Sequence, residues 1–281
     1  MRIHVTDLNA RELDPYVRLT GAQLRRRLEP EEGIFIAESP TVIAVALDAG
    51  YTPVSMLTDE RLIGSAAVRD IAKRLEDRDP NFPIYTAPAE ILSELVGFAL
   101  TRGALAVFHR GTESTVDEVL KDATRVAILE SVTDSTNVGA LFRSAAALGI
   151  DAVLVTPSCC DPLCRRALRV SMGTVLLVPR ARIGECAADW PGKGIEKLHA
   201  YGFKTVSMAL RHDTVDIDDP RLASEEKLAV ILGTEGTGLT EETISLSDYT
   251  VKIPMENGVD SLNVGAAGAI AFWQLTRKKK K

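Results

Sequence analysis

The chain has 281 residues, 46% of them hydrophobic and 26% charged, with a formal net charge of −6. That balance is typical of soluble globular proteins and excludes disorder as a general description, and the length suits two domains better than one. No apolar run approaches the roughly 20 residues of a membrane-spanning helix. The opening MRIHVTDLNARELD has no apolar stretch of the secretory kind, so a cytoplasmic protein without membrane contact is expected.

From the N-terminus, residues 12–28 read as a helix with Leu13, Val17, Leu24 and Leu28 on its apolar side. Strand and helix then alternate: strand Ile34–Ile36, helix Thr41–Asp48 stopped at Gly50, strand Val54–Leu57, helix Leu62–Leu75. Strand Pro83–Thr86, helix Ala89–Phe98 and strand Ala104–Phe108 complete a small α/β unit. The polar stretch beginning at Arg110 marks a boundary, giving domains of 1–110 and 125–281 with residues 111–124 as linker. The second half is predicted to carry strands at Val126–Glu130, Ala152–Thr156, Val175–Val178, Thr205–Met208, Leu228–Leu232 and Tyr249–Ile253. A final helix follows from about Ser261 to Thr276. Continuous apolar runs such as residues 229–232 predict strands buried on both faces, hence a mainly parallel sheet covered by helices.

Basic charge sits at the ends. Residues 1–30 hold six Arg against four acids, and residues 277–281 are all basic, so the body between them is acidic. Such a distribution argues against indiscriminate phosphate binding and for a shaped RNA target, with Arg18, Arg25, Arg26 and Arg27 as candidate phosphate contacts. Each cluster can equally be a solvated face or a frayed tail. The four cysteines, Cys159, Cys160, Cys164 and Cys186, match no zinc module and have no His nearby in sequence, so reduced thiols and no metal are expected.

Three loops carry candidate chemistry. Asn137-Val138-Gly139-Ala140-Leu141-Phe142-Arg143 follows a strand, with Asn137 as a natural N-cap. Arg143 falls off the apolar stripe, over Gly139, Ala140, Ala146 and Ala147, a bare surface that admits a ligand or another backbone; it can also be an ordinary exposed residue. Leu232-Gly233-Thr234-Glu235-Gly236-Thr237-Gly238-Leu239 ends the most apolar strand, and its glycines let main-chain groups touch a ligand, although a tight turn explains them as well. Thr240 is placed to cap the next helix, with Leu239 and Ile244 as a hydrophobic staple. In the third loop, from Ile253-Pro254-Met255 to Ser261-Leu262-Asn263, Ser261 or Asn263 caps a helix whose residues 265–269 are all Gly or Ala, suited to close packing, a dimer contact or a ligand floor.

In this order the loops resemble the signature of the SpoU (TrmH-like) branch of the SPOUT methyltransferases: N-x-G-x-x-x-R at Asn137, Gly139 and Arg143 with Gly149 beyond; G-x-E-G-x-G at Gly233, Glu235, Gly236 and Gly238; and I-P-M with S-L-N. The resemblance covers roughly residues 125–276, and the N-terminal half is more loosely similar to the RNA-binding domain often joined to it. One departure is Asp134-Ser135, where the family often has Asp-Pro.

The resemblance implies an RNA 2′-O-ribose methyltransferase acting on ribosomal or transfer RNA. It implies a parallel sheet whose C-terminal segment forms a trefoil knot, and a homodimer in which Arg143 reaches toward the site across the subunit interface. It implies S-adenosylmethionine as cofactor, held at Leu232, Gly233, Glu235, Gly238, Ile253, Met255 and Leu262, with Arg143, Asn137, Glu235, Ser261 and Asn263 serving the chemistry. Two rivals stand beside it. A non-catalytic RNA-binding protein could keep the fold, and a nicotinamide-dependent oxidoreductase would need the early G-x-G-x-x-G that this chain lacks.

Overall fold

A computed structural model describes residues 1–5, 10–16, 33–97, 103–211 and 214–276. They form two compact units: residues 1–112 with 163–176, and residues 113–162 with 177–281. Leu163–Leu176, which the sequence reading places within the second domain, thus packs with the first unit.

The first unit is built on strands β1 (Arg2–His4), β2 (Ile34–Glu38), β3 (Pro53–Asp59), β4 (Ile84–Ala87) and β5 (Ala104–His109). Their order is β1-β4-β3-β5-β2; the first three are mutually parallel, and β5 runs antiparallel to β3 and β2. Helices α1 (Pro40–Asp48), α2 (Ala66–Arg78) and α3 (Ala89–Val96) connect the strands. Phe35 stacks on Phe108 at 5.3 Å, and Tyr51 meets Phe35 edge-on. From the inserted segment, Arg165 and Arg169 on helix α6 (Arg165–Val170) pair with the buried Glu38.

The second unit holds seven strands: β6 (Arg125–Leu129), β7 (Ala152–Val155), β8 (Arg180–Arg182), β9 (Lys204–Met208), β10 (Val215–Asp216), β11 (Leu228–Leu232) and β12 (Tyr249–Lys252). The order is β10-β12-β9-β11-β6-β7-β8, and every pairing is parallel. Every residue of Leu228–Leu232 is buried, as two-sided burial of a central parallel strand requires. Around the sheet lie α4 (Val116–Leu120), α5 (Ser135–Leu148), α7 (Gly192–Ala200), α8 (Pro220–Ser224), α9 (Glu241–Leu246) and α10 (Val264–Thr276). Gly265 and Gly268 of α10 face α5. A Cβ on Gly268 would lie 2.2 Å from Leu141 Cδ2 and 3.2 Å from Leu232 Cδ1, so any larger residue there would have to displace the buried Leu141 side chain.

Three expectations need correction. The apolar run Val175–Val178 is not a strand: Met172 (φ 55°) and Gly173 (φ 84°) turn the chain, Thr174–Leu176 form a 3-10 turn, and the strand comes later at Arg180–Arg182. The helix expected from Leu62 begins at Ala66. Asn137 is not the N-cap of α5. Asp134 is, accepting from the Thr136 and Asn137 N–H groups, so Asn137 lies within the first turn. Of residues 12–28, a 3-10 helix at Arg11–Tyr16 is described; Arg18, Arg25, Arg26, Arg27 and the lysine tail lie outside the described residues. Among the described residues no helix is long and apolar enough to cross a membrane, and no group of three or more His, Cys, Asp or Glu is placed to hold a metal.

Candidate functional site

In an open parallel sheet the ligand-binding crevice lies beyond the carboxyl ends of the strands. Here β9, β11 and β12 are neighbours, and the segments leaving them enclose a cleft of about 860 Å³ within the second unit. Residues 208–211 form one side, the glycine-rich loop 232–239 another, and Ile253, Met255 and residues 260–264 the third.

The glycine-rich loop folds tightly on itself. The Gly238 N–H donates to the Thr234 carbonyl at 3.1 Å, and Gly236 and Gly238 take positive φ. A Cβ on Gly233 would lie 2.4 Å from the Gly238 carbonyl carbon and 2.5 Å from the Leu239 nitrogen, both rigid backbone. Gly233 is therefore required by close approach. The loop's exit is fixed by Thr240, whose hydroxyl accepts from the Thr243 N–H as the cap of α9, and by Leu239, buried against the core that Ile244 also joins.

Asn263 ties the three motif-bearing segments together. Its Oδ1 accepts from the Gly265 and Ala266 N–H groups at 3.0 and 3.3 Å, capping α10. Those donors fix the amide's orientation, because only the oxygen can accept them. The nitrogen therefore faces the other way, donating to Glu235 Oε1 at 2.5 Å and to Asn137 Oδ1 at 2.9 Å. One side chain thus links the segments that follow β6, β11 and β12.

The remaining positions divide clearly. Leu232, Gly233, Glu235, Gly238, Ile253, Met255, Ser261, Leu262 and Asn263 all line the cleft. The Ser261 hydroxyl bonds to Asp260 rather than to the Asn263 junction. Asn137 reaches the cleft only through Asn263, and Arg143 is exposed on α5 outside the lining. Sequence reasoning did not find the wall formed by Met208–Arg211, where Arg211 pairs with Glu241 at the cleft. No motif marks that segment; its only signal is that it leaves the carboxyl end of a strand next to β11. Nor did it find Glu130, which closes the predicted strand Val126–Glu130 and is buried beneath the glycine-rich loop.

This chain is similar over most of its length to known proteins. An uncharacterised tRNA/rRNA methyltransferase of Mycobacterium bovis is 39% identical over 275 residues, covering 97% of this chain and 91% of its own length. A Staphylococcus aureus protein assigned to the TrmH family of tRNA/rRNA methyltransferases is 26% identical, covering 81% of this chain and 90% of itself. Among solved structures, an rRNA methyltransferase from Sinorhizobium meliloti with bound AdoMet superposes with a TM-score of 0.79 at 20% identity, covering 100% of this chain and 99% of the other. The SpoU methyltransferase AviRb from Streptomyces viridochromogenes, in complex with AdoMet, gives 0.77 at 22% identity, covering 96% and 99%. The model of the SpoU rRNA methylase family matches residues 124–273, the stretch that carries the cleft and all three loops, and this chain belongs to that family of RNA methyltransferases.

Proposed function

We propose that the chain transfers a methyl group from S-adenosylmethionine to a ribose 2′-hydroxyl of ribosomal or transfer RNA. The observation that carries this reading is the single cleft-side junction of Asn137, Glu235 and Asn263 beside a loop of bare backbone. The cleft fits the cofactor: its volume of about 860 Å³ falls within the range of small-molecule sites, and it combines apolar Leu232, Ile253, Met255 and Leu262 with glycine main chain. Bound there, S-adenosylmethionine supplies an electrophilic methyl on a sulfonium.

The residues of this chain must then activate a poor nucleophile. A guanidinium does not give up its proton near neutral pH, so Arg143 acts by charge, holding a substrate phosphate or the developing alkoxide, while a phosphate oxygen or water takes the proton. Asn137, set by Asn263, orients Arg143 or the ribose. Glu235, Ser261 and Asn263 hold the ligand loops. Arg143 lies outside the cleft lining, which suits the reading that it serves a site across a homodimer interface. Exposed Ile270 and Trp273, one turn apart on α10, supply apolar surface for that interface. The C-terminal segment is read as knotted on the strength of the family resemblance, with α10 packed on α5.

Arg18 and Arg25–Arg27 are assigned to RNA phosphates in a cytoplasmic enzyme. Charge reversal at Arg25–Arg27 weakens RNA binding and flattens its salt dependence; an unchanged slope removes them from the interface. The whole reading is tested by incubating the protein with radiolabelled S-adenosylmethionine and ribosomal or transfer RNA lacking modifications. Label should appear at one nucleotide and protect the adjoining phosphodiester from alkali. Label on a base, or methylation that survives replacement of the target ribose by 2′-deoxyribose, overturns it.

A further inference from the structure

We propose that Glu130 is a positioning residue for the cofactor, acting by clamping both ends of the glycine-rich loop; the inference rests on the reading that the cleft holds S-adenosylmethionine. Glu130 directly follows β6 and is 2% exposed. Its backbone N–H donates to the carbonyl of Leu232 at 2.9 Å, immediately before the loop. Its Oε1 accepts from the backbone N–H of Thr240 at 2.8 Å, immediately after the loop. Its Oε2 accepts from the Thr243 hydroxyl at 2.6 Å and the Trp190 indole N–H at 2.7 Å. One residue therefore fixes where the loop enters and where it leaves.

Nothing about packing alone calls for an acid here. Val126–Leu129, just before it, are all fully buried and apolar, and burying a carboxyl side chain is costly unless its acceptor capacity is used. What Glu130 provides that leucine or methionine could not is two acceptor atoms for donors that approach from different elements. Between the clamped ends the loop is a tight turn held by its own Gly238–Thr234 bond and by Gly233 against the Gly238–Leu239 backbone, so the anchors set where that turn sits beside the cleft.

The donor pattern makes the idea sharply testable. In Glu130→Gln one oxygen becomes an NH₂ group. If that group faces Thr240 it meets a backbone N–H, and if it faces Trp190 it meets an indole N–H; both are donors only. No orientation of glutamine satisfies both. Removing the indole N–H with Trp190→Phe resolves the conflict, because the Thr243 hydroxyl can turn and accept from the NH₂ while the amide oxygen takes the Thr240 N–H.

The experiment is calorimetric titration with S-adenosylhomocysteine of the full chain and four variants, each checked for folding by circular dichroism. Glu130→Gln should bind roughly ten- to a hundredfold more weakly than the native chain. The double variant Glu130→Gln/Trp190→Phe should bind more tightly than Glu130→Gln alone, although a second buried side chain has been cut back. An affinity for Glu130→Gln within twofold of native, or a double variant no tighter than the single one, overturns the assignment. Should Glu130→Gln fail to fold, Thr243→Val decides: weaker binding supports the clamp and native affinity overturns it. Ser261→Trp separates the clamp from the cleft reading by filling the cleft from an exposed lining position. Native binding by Ser261→Trp sinks the cleft reading itself, whereas loss there with native binding by the Glu130 variant sinks only the clamp.

Discussion

The amide nitrogen of Asn263 lies 2.9 Å from Oδ1 of Asn137, a bond between residues 126 positions apart that joins the first turn of α5 to the start of α10. The same nitrogen also reaches Glu235, while the oxygen caps α10. Asn263 thus has a structural half and a site half, and the two can be separated by chemistry.

Asn263→Asp separates them. Aspartate caps a helix as well as asparagine does, so α10 keeps its cap. The donor is lost, and a carboxylate is set against that of Glu235. Both hydrogen bonds are lost and the exposed Glu235 side chain can turn away from the new carboxylate, so the loops lose their tie while the fold loses little. Methyl transfer should fall by roughly ten- to a hundredfold while the melting temperature changes little. Equal damage to stability and turnover would show that the junction is only a cap.

Gly268→Ala tests the close approach of α10 and α5. The new methyl would sit 2.2 Å from Leu141 Cδ2 and 3.2 Å from Leu232 Cδ1. Replacing glycine by alanine within a helix gains about 1 kcal/mol in propensity. Overpacking a buried contact costs about 1–3 kcal/mol, and here it displaces Leu141 toward an already filled core. The clash should prevail, lowering the melting temperature by a few degrees in calorimetry. A higher melting temperature would mean that the helices are less tightly apposed than these distances require.

Much of this was legible in the sequence, for reasons that can be stated locally. Residues 228–232 read as a doubly buried strand because the run is short and ends at a glycine-rich loop, and Thr240 reads as the cap of the next helix. Asn137 was harder. Asp134 and Asn137 are equally good caps by type, and the choice depends on where the chain leaves β6 and on a partner 126 residues away. Val175–Val178 resembled a strand because apolar runs do not distinguish strands from buried turns; the positive φ of Met172 carries no sequence mark. Glu130 reads as an ordinary strand end. Its meaning comes from Trp190, Thr240 and Thr243, which only the fold brings to it.

Asp248 predicts an acid-sensitive contribution to stability. Burial alone would raise its pKa, but bonds from Lys204, from the N–H and hydroxyl of Thr205 and from His199 outweigh that and hold the carboxyl well below the usual range. Because the folded-state pKa is depressed, the stabilisation is present above the unfolded value of about 3.9 and is lost as pH falls through the folded value. Asp248→Asn should therefore melt lower than the native chain at neutral pH, and the gap should close as the pH falls below about 4. A gap that is constant with pH would assign the contribution to packing.

Arg143 offers the cleanest division between binding and chemistry. It is exposed and outside the cleft lining, so Arg143→Ala should leave S-adenosylhomocysteine affinity and folding unchanged. If its guanidinium stabilises charge that develops on the ribose or its phosphate, its removal costs about 2.7–4 kcal/mol of transition-state stabilisation, comparable to losing one oxyanion donor, and turnover falls by roughly a hundred- to a thousandfold. Arg143→Lys keeps the charge but not the planar fork, and should recover only part of the rate. In mixed dimers of Arg143→Ala subunits with Gly233→Val subunits, a site built across the interface regains activity, because half of the sites then combine an intact loop with an intact arginine. No activity in the mixture would place each arginine at its own subunit's cleft, and near-native turnover by Arg143→Ala alone would remove it from the reaction.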